Sequence, residues 1–179
     1  MNAPKSESSR VRPLVAPAHS NDLRARGPVT GADRAIVEVL VRSARLSNQE
    51  IARRVGVAPS TCSVRLRELE RRGVITGYHA AVDLRALGSS LQAMIAVRLH
   101  GGARGRLRSF SEQVKSLPGV LSVFTLGGEE DFLLHVAAAD SEALRDFVAD
   151  GLSAREDVAA TRTSIIFEHT RGAAAGNAT

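Results

Sequence analysis

The sequence predicts an α+β protein, with a helix-turn-helix unit in its first half and a β-α-β-β-α-β domain in its second. Three observations predict it. The stretch Ser47 to Gly73, SNQEIARRVGVAPSTCSVRLRELERRG, sets a helix start, a glycine turn and a second amphipathic helix at close spacing. From Leu91 onward, apolar runs of strand length alternate with segments of helical period. The charge divides near the same point: residues 29–80 hold nine Arg against five acids, whereas residues 81–179 hold ten Lys and Arg against twelve acids.

Taken in order, residues 1–28 are rich in Ser, Pro, Arg and Ala without apolar periodicity, and are expected to be a disordered basic tail. Residues 29–76 form the helix-turn-helix. Its first helix is predicted from Gly31 to Ser43, with Ile36, Val37, Leu40 and Val41 inward. The second runs from Ser47 to Val55. Ser47 and Glu50 make an S-x-x-E capping box there, which satisfies backbone N–H groups left open at a helix start. Gly56 permits the left-handed turn that ends it. The third helix runs from Pro59 to Arg72. Proline suits its first turn, and Cys62, Leu66 and Leu69 form its core stripe. Gly73 stops it, and residues 77–90 are expected to form a linker strand.

Residues 91–170 form the second domain. Strands are predicted at Leu91–Leu99, Val120–Leu126, Asp131–Ala138 and Val158–Glu168. Helices are predicted at Arg104–Ser116, with Leu107, Phe110 and Val114 inward, and at Ser141–Leu152, capped by Ser141, with Leu144, Phe147 and Val148 inward. This order is ferredoxin-like: a four-stranded antiparallel sheet with both helices on one face. The other face is expected to be largely apolar and covered by a second subunit. Residues 171–179 are expected to be a disordered tail.

Composition narrows the function. The chain carries one cysteine, which excludes an internal disulfide and suits a reducing, cytoplasmic setting. No apolar run of membrane-spanning length and no signal-peptide core appear, so no membrane partner is expected. With no Trp and one Tyr, binding by stacked aromatics is not expected. The five His residues show no metal-ligand spacing, and no nucleophile elbow or phosphate-binding loop occurs. The chain therefore reads as not an enzyme, with no catalytic residue, no metal site and no cofactor.

The basic first half instead suits double-stranded DNA. With Cys62, Leu66 and Leu69 inward, the opposite side of the third helix carries Ser60, Val64, Arg67 and Arg71, flanked by Thr61, Ser63, Arg65 and Glu68. Recognition helices present their N-terminal residues to base edges. Ser60, Thr61, Ser63 and Val64 are thus the candidates beside bases: hydroxyls read bases tolerantly and Val64 suits a thymine methyl. Arg65 and Arg67 are the candidates for guanine or phosphate.

The segments LSNQEIARRVGVAPSTCSVRLRELERRGVITGY, LPGVLSVFTLGGEEDFLLHV and TRTSIIFE together resemble the Lrp/AsnC family of transcription regulators over roughly residues 31–170. The resemblance implies a winged-helix-like DNA-binding unit, an effector-binding and oligomerisation domain, and DNA binding modulated by an amino acid. It also implies a homodimer that assembles to an octamer. It places the effector site at the hairpin between the two middle strands, with Thr125, Gly127, Gly128 and Asp131 as its residues. Glycines there let a ligand carboxylate approach backbone N–H groups, and an aspartate suits an α-amino group. A polar two-glycine hairpin with no ligand accounts for the same residues. Glu130 departs from the family pattern, where an aromatic or small residue is common. The three adjacent acids, Glu129, Glu130 and Asp131, point to a basic ligand such as lysine or arginine. The sequence thus reads as a sequence-specific, amino-acid-modulated transcriptional regulator. The alternative is an effector-independent architectural, chromatin-like DNA-binding protein.

Overall fold

The computed structural model describes Val29 and residues 31–170; the expected tails, 1–28 and 171–179, lie outside the described residues. These residues divide into two units, 29–81 and 82–169.

The first unit packs three helices: α1 (Gly31–Arg42), α2 (Asn48–Val55) and α3 (Pro59–Arg71). Ser47 caps α2, its hydroxyl accepting the Glu50 N–H at 3.2 Å. The Glu50 carboxylate is taken up by Arg53 and Arg54 rather than returned to the cap, so one half of the expected capping box forms. Gly56 adopts φ 75°, and its N–H bonds the Ala52 carbonyl at 2.9 Å. That left-handed turn swings the chain into α3, whose first residue is Pro59. Ile36, Leu40, Ile51, Ala52, Cys62, Leu66 and Leu69 form the buried core, with Val37 and Val55 partly buried against it. Val41, expected inward, is 58% exposed. The phenol of Tyr78 donates to Glu70 at 2.9 Å, tying the segment after α3 back to that helix. Burial first, and that acceptor second, push its hydroxyl up to about 12.

Residues 77–90 do not form the expected linker strand. A strand is held by a ladder partner, and no described segment runs beside this one; its regular structure is a short 3-10 turn, Arg85–Leu87, closed by Gly88.

The second unit is a four-stranded sheet, β1 (Leu91–Leu99), β2 (Val120–Thr125), β3 (Phe132–Ala138) and β4 (Val158–Ile166), in the order β2-β3-β1-β4. All three neighbouring pairs are antiparallel. One face meets α4 (Leu107–Val114) and α5 (Ser141–Asp146), closing a core of Ala93, Ile95, Val97, Phe110, Val114, Phe132, Leu134, Val136, Leu144 and Leu152. The rings of Phe110 and Phe132 lie 4.8 Å apart within it. Both helices are shorter than their sequence periodicity. A 3-10 segment, Gly101–Arg106, precedes α4, where three glycines weaken α-helix formation. A π-helical stretch, Phe147–Ser153, continues α5 through Gly151 and still delivers Leu152 to the core. The cap of α5 is Asp140 rather than Ser141: its carboxylate accepts the Ala143 N–H at 2.8 Å.

The face away from the helices is mixed rather than largely apolar. The register sets Gln92, Met94, Ala96, Leu133, His135 and Arg162 there, as the even positions of β1 and the residues opposite them. His135 Nε2 lies 2.9 Å from Gln92 Oε1, so polar groups on this face satisfy each other.

Candidate functional site

On α3 the inward stripe is locked. Cys62 and Leu69 are fully buried and Leu66 nearly so, which fixes the rotation of the helix. Cys62 is a free, buried thiol pushed up by burial, a core residue rather than a reactive one. Ser60, Thr61, Val64, Arg65 and Arg67 are exposed and Ser63 is half-buried. Val64 is 64% exposed, a large apolar side chain held in solvent on the outer row. Arg67, one turn further on that row, has no ion-pair partner among the described residues. Arg71, at the end of the row, is engaged: Glu68 binds it at 2.6 Å and is itself held below the usual carboxylate range by that hydrogen bond.

Two of the candidates have internal duties. The Ser63 hydroxyl donates to the Pro59 carbonyl at 3.0 Å and accepts from Asn48 Nδ2 at 3.2 Å. It therefore pins the start of α2 to α3. Arg65 turns to the flank and binds Asp33, in the first turn of α1, at 2.8 Å. Arg72 approaches the other oxygen of Asp33 at 3.9 Å. Asp33 and Asn48 were not candidates from sequence; partners 32 and 15 residues away carry no periodic signal. On α2, Glu50 is held down to about 2, chiefly by its hydrogen bond to Arg53 and next by that to Arg54. A carboxylate there offsets part of the cationic character of α2, as Glu68 does for Arg71 at the end of α3.

The β2–β3 hairpin is closed by the Leu126 N–H on the Asp131 carbonyl at 2.9 Å. Thr125, Gly127, Gly128 and Glu129 are exposed. A Cβ added at Gly127 or Gly128 would meet open space, so the backbone of the loop is approachable from solvent. Asp131 is different in kind. It is 7% exposed, and its Oδ2 accepts the Leu99 N–H at 2.7 Å while its own N–H bonds the Val97 carbonyl at 3.0 Å. These bonds seal the end of the β1–β3 ladder, next to the bulge that the β1–β4 ladder makes after Arg98. An expected partner for an ammonium is thus already a partner of the backbone. Glu130 is also engaged, by Arg162 on β4 at 2.6 Å.

The basis for expecting a basic ligand changes accordingly. Of the three acids, Asp131 is buried in hydrogen bonds and Glu130 is paired; Glu129 alone stands exposed without a partner among the described residues. An open concavity of about 360 Å³ elsewhere on this unit is lined by Arg106, Gln113, Arg155, Glu156 and Asp157. Arg155 there binds Asp157 at 3.2 Å and lies 5.0 Å from the Phe110 ring centre, so its charge serves the fold. None of the hairpin residues lines it.

Comparison with known proteins assigns both units. A family model of the winged helix-turn-helix DNA-binding unit matches residues 30–76, and one of the Lrp/AsnC ligand-binding domain matches residues 92–172. The chain is 47% identical to the HTH-type transcriptional regulator AldR of Mycolicibacterium smegmatis, over 94% of this chain and 98% of that protein. The crystal structure of AldR of Mycobacterium tuberculosis matches with a TM-score of 0.72 at 47% identity, covering 82% of this chain and 97% of that one. A transcriptional regulator of Neisseria meningitidis, solved with L-methionine, matches with a TM-score of 0.73 at 32% identity, covering 81% and 94%. Among the described residues no helix is long and apolar enough to cross a membrane. The chain belongs to the Lrp/AsnC family of helix-turn-helix transcriptional regulators, with a DNA-binding unit followed by a ligand-binding domain.

Proposed function

We propose that this regulator reads duplex DNA with the outer row of α3, and that an amino acid held at the β2–β3 hairpin changes its assembly and hence its DNA affinity. One observation carries the DNA reading: Ser60, Val64 and Arg67 stand exposed on a helix whose opposite stripe is locked in the core. In this reading Ser60, Thr61 and Val64 lie at base edges and Arg67 meets guanine or phosphate. Ser63 and Arg65 serve mainly by positioning α3, through Asn48 and Asp33.

The amino-acid reading rests on the family domain and on a relative solved with L-methionine. The accessible backbone at Gly127 and Gly128 supports the hairpin as the place. Thr125 flanks it, and Asp131 holds the loop in shape. The exposed mixed sheet face supports a homodimer, and further association to an octamer would set several α3 helices on one DNA.

Fluorescence anisotropy on duplex DNA from beside its own gene tests the reading, with and without each of the twenty amino acids. Binding is expected to weaken on Arg67→Ala, with a salt slope shallower by roughly 1. At least one amino acid is expected to change both affinity and particle size by light scattering. Ligand and DNA must alter each other's affinity by the same factor. Unchanged DNA affinity and slope in folded Arg67→Ala rejects the α3 assignment. A wild-type protein indifferent to every amino acid rejects sensing and leaves the architectural reading.

A further inference from the structure

We propose that the Glu130–Arg162 ion pair sets the charge class of the effector, tuning the hairpin to an amino acid with an uncharged, apolar side chain. This rests on the hairpin being the effector site. The pair spans from the loop before β3 to the far strand of the sheet, joining Glu130 Oε1 to Arg162 Nη2 at 2.6 Å. Glu130 is only 21% exposed in its side chain, whereas Arg162 is 70% exposed, so the cation stands outermost and screens the anion beneath it. The register continues the same row: Arg162 lies opposite Ala96, Ala96 opposite Leu133, and Leu133 opposite Phe124. A small, an aliphatic and an aromatic side chain therefore run from the ion pair toward β2. Phe124 is 49% exposed and Leu126, after it, 41% exposed. Arg98 adds a second exposed cation at the end of β1.

These placements reverse the charge argument that three consecutive acids suggest. Asp131 is consumed by the Leu99 N–H and Glu130 by Arg162, so of the three acids only Glu129, at the tip of the loop, is left open among the described residues. Arg162 and Arg98 beside it would repel such a side chain, because like charges set close together are costly at a partly desolvated site. An apolar side chain meets no such penalty and finds the Phe124–Leu133 row. The ligand's α-carboxylate and α-ammonium are common to all amino acids, so discrimination falls on what surrounds the side chain.

The experiment is calorimetric titration and thermal shift of the full chain with L-leucine, L-methionine, L-lysine, L-arginine and L-glutamate. It compares wild type, Glu130→Gln, Arg162→Gln and the charge swap Glu130→Arg with Arg162→Glu. Wild type is expected to prefer leucine or methionine over lysine and arginine. Arg162→Gln uncovers Glu130 and is expected to shift that preference toward lysine and arginine by about ten-fold. Glu130→Gln leaves the cation unpaired and is expected to shift it toward glutamate. The swap restores a pair and is expected to restore the wild-type ranking. A wild type that favours lysine or arginine, or an Arg162→Gln variant with an unchanged ranking, overturns this inference while leaving the hairpin site standing. A wild type that binds none of the five but responds to another charged amino acid also overturns it, whereas a response to another apolar amino acid supports it. No response to any of the twenty removes the hairpin reading itself, and this inference with it.

Discussion

The third helix and the β2–β3 hairpin divide their labour in opposite ways. On α3, the fold and the proposed DNA contacts are separated by angle: Cys62, Leu66 and Leu69 go inward, and Ser60, Val64 and Arg67 go outward on the same cylinder. A residue can be changed on one side with little consequence on the other. At the hairpin the fold claims a residue of the proposed effector site. Asp131 belongs to the expected effector motif, yet it is buried and closes the sheet by accepting the Leu99 N–H. Strand ends leave backbone groups without ladder partners, and a side chain placed there is recruited to satisfy them. The comparison teaches that periodicity on a helix shows which residues face solvent, though Ser63 and Arg65 are still claimed by Asn48 and Asp33, whereas a strand end must first be read for what it closes.

The largest effect that tests this contrast is Asp131→Ala. It orphans a buried N–H and is expected to cost about 1–3 kcal/mol, seen as a clear fall in the melting temperature of the ligand-binding domain. Asp131→Asn keeps an acceptor and is expected to recover most of that loss. If Asp131→Ala melts like wild type, the hairpin separates its roles as α3 does and the contrast fails.

Next comes the matched change on the helix. Arg67→Ala is expected to weaken DNA binding by about ten-fold with an unmoved melting temperature, since its side chain touches solvent and no ion partner. A melting shift as large as that of Asp131→Ala would show that the outer row also supports the fold.

Arg65→Ala sharpens the boundary between the two behaviours. The Arg65–Asp33 pair is partly exposed, 43% and 19% in its side chains, so the stability loss is expected to stay below about 1 kcal/mol. A DNA-affinity loss in Arg65→Ala that Asp33→Asn reproduces would mark Arg65 as a positioning residue. A loss that Asp33→Asn does not reproduce would mark direct contact.

The smallest effect concerns pH. Burial, and then the neighbouring His169, hold the His135 imidazole below the ordinary histidine range of 6.5. The fold therefore favours neutral His135, and the unfolded chain takes up its proton first as pH falls. Stability is full above pH 6.5 and declines as pH drops below it. Melting curves between pH 7.5 and 5.5 are expected to show a modest fall for wild type and a flatter response for His135→Gln. The first unit has its nearest counterpart in Glu50, held to about 2, whose contribution is kept above the ordinary carboxylate range of 4.5 and fades as pH falls toward 2. Over the neutral-to-mildly-acid window it is expected to stay silent.

What the sequence by itself determined was everything set by period and local turn chemistry. The stripe of α3, the Ser47 cap, the Gly56 turn, the Pro59 start and the succession of strands and helices along the second domain follow from neighbours within a few residues of each other. The family is likewise legible, since its motifs are contiguous. Tertiary structure alone decided which polar groups are available. Arg65 meets Asp33 and Glu130 meets Arg162, each across 32 residues, and neither pairing has a spacing that announces it. The same holds for Gly119, at φ 84°, where a Cβ would strike the Ala137 carbonyl at 2.6 Å as β3 passes beside it. Residues 77–90 mark the other limit: their extended pattern forms no strand, because a ladder requires a second segment that this stretch does not find among the described residues. Local periodicity reports which way a side chain points, but the charge it presents depends on what the chain brings back beside it.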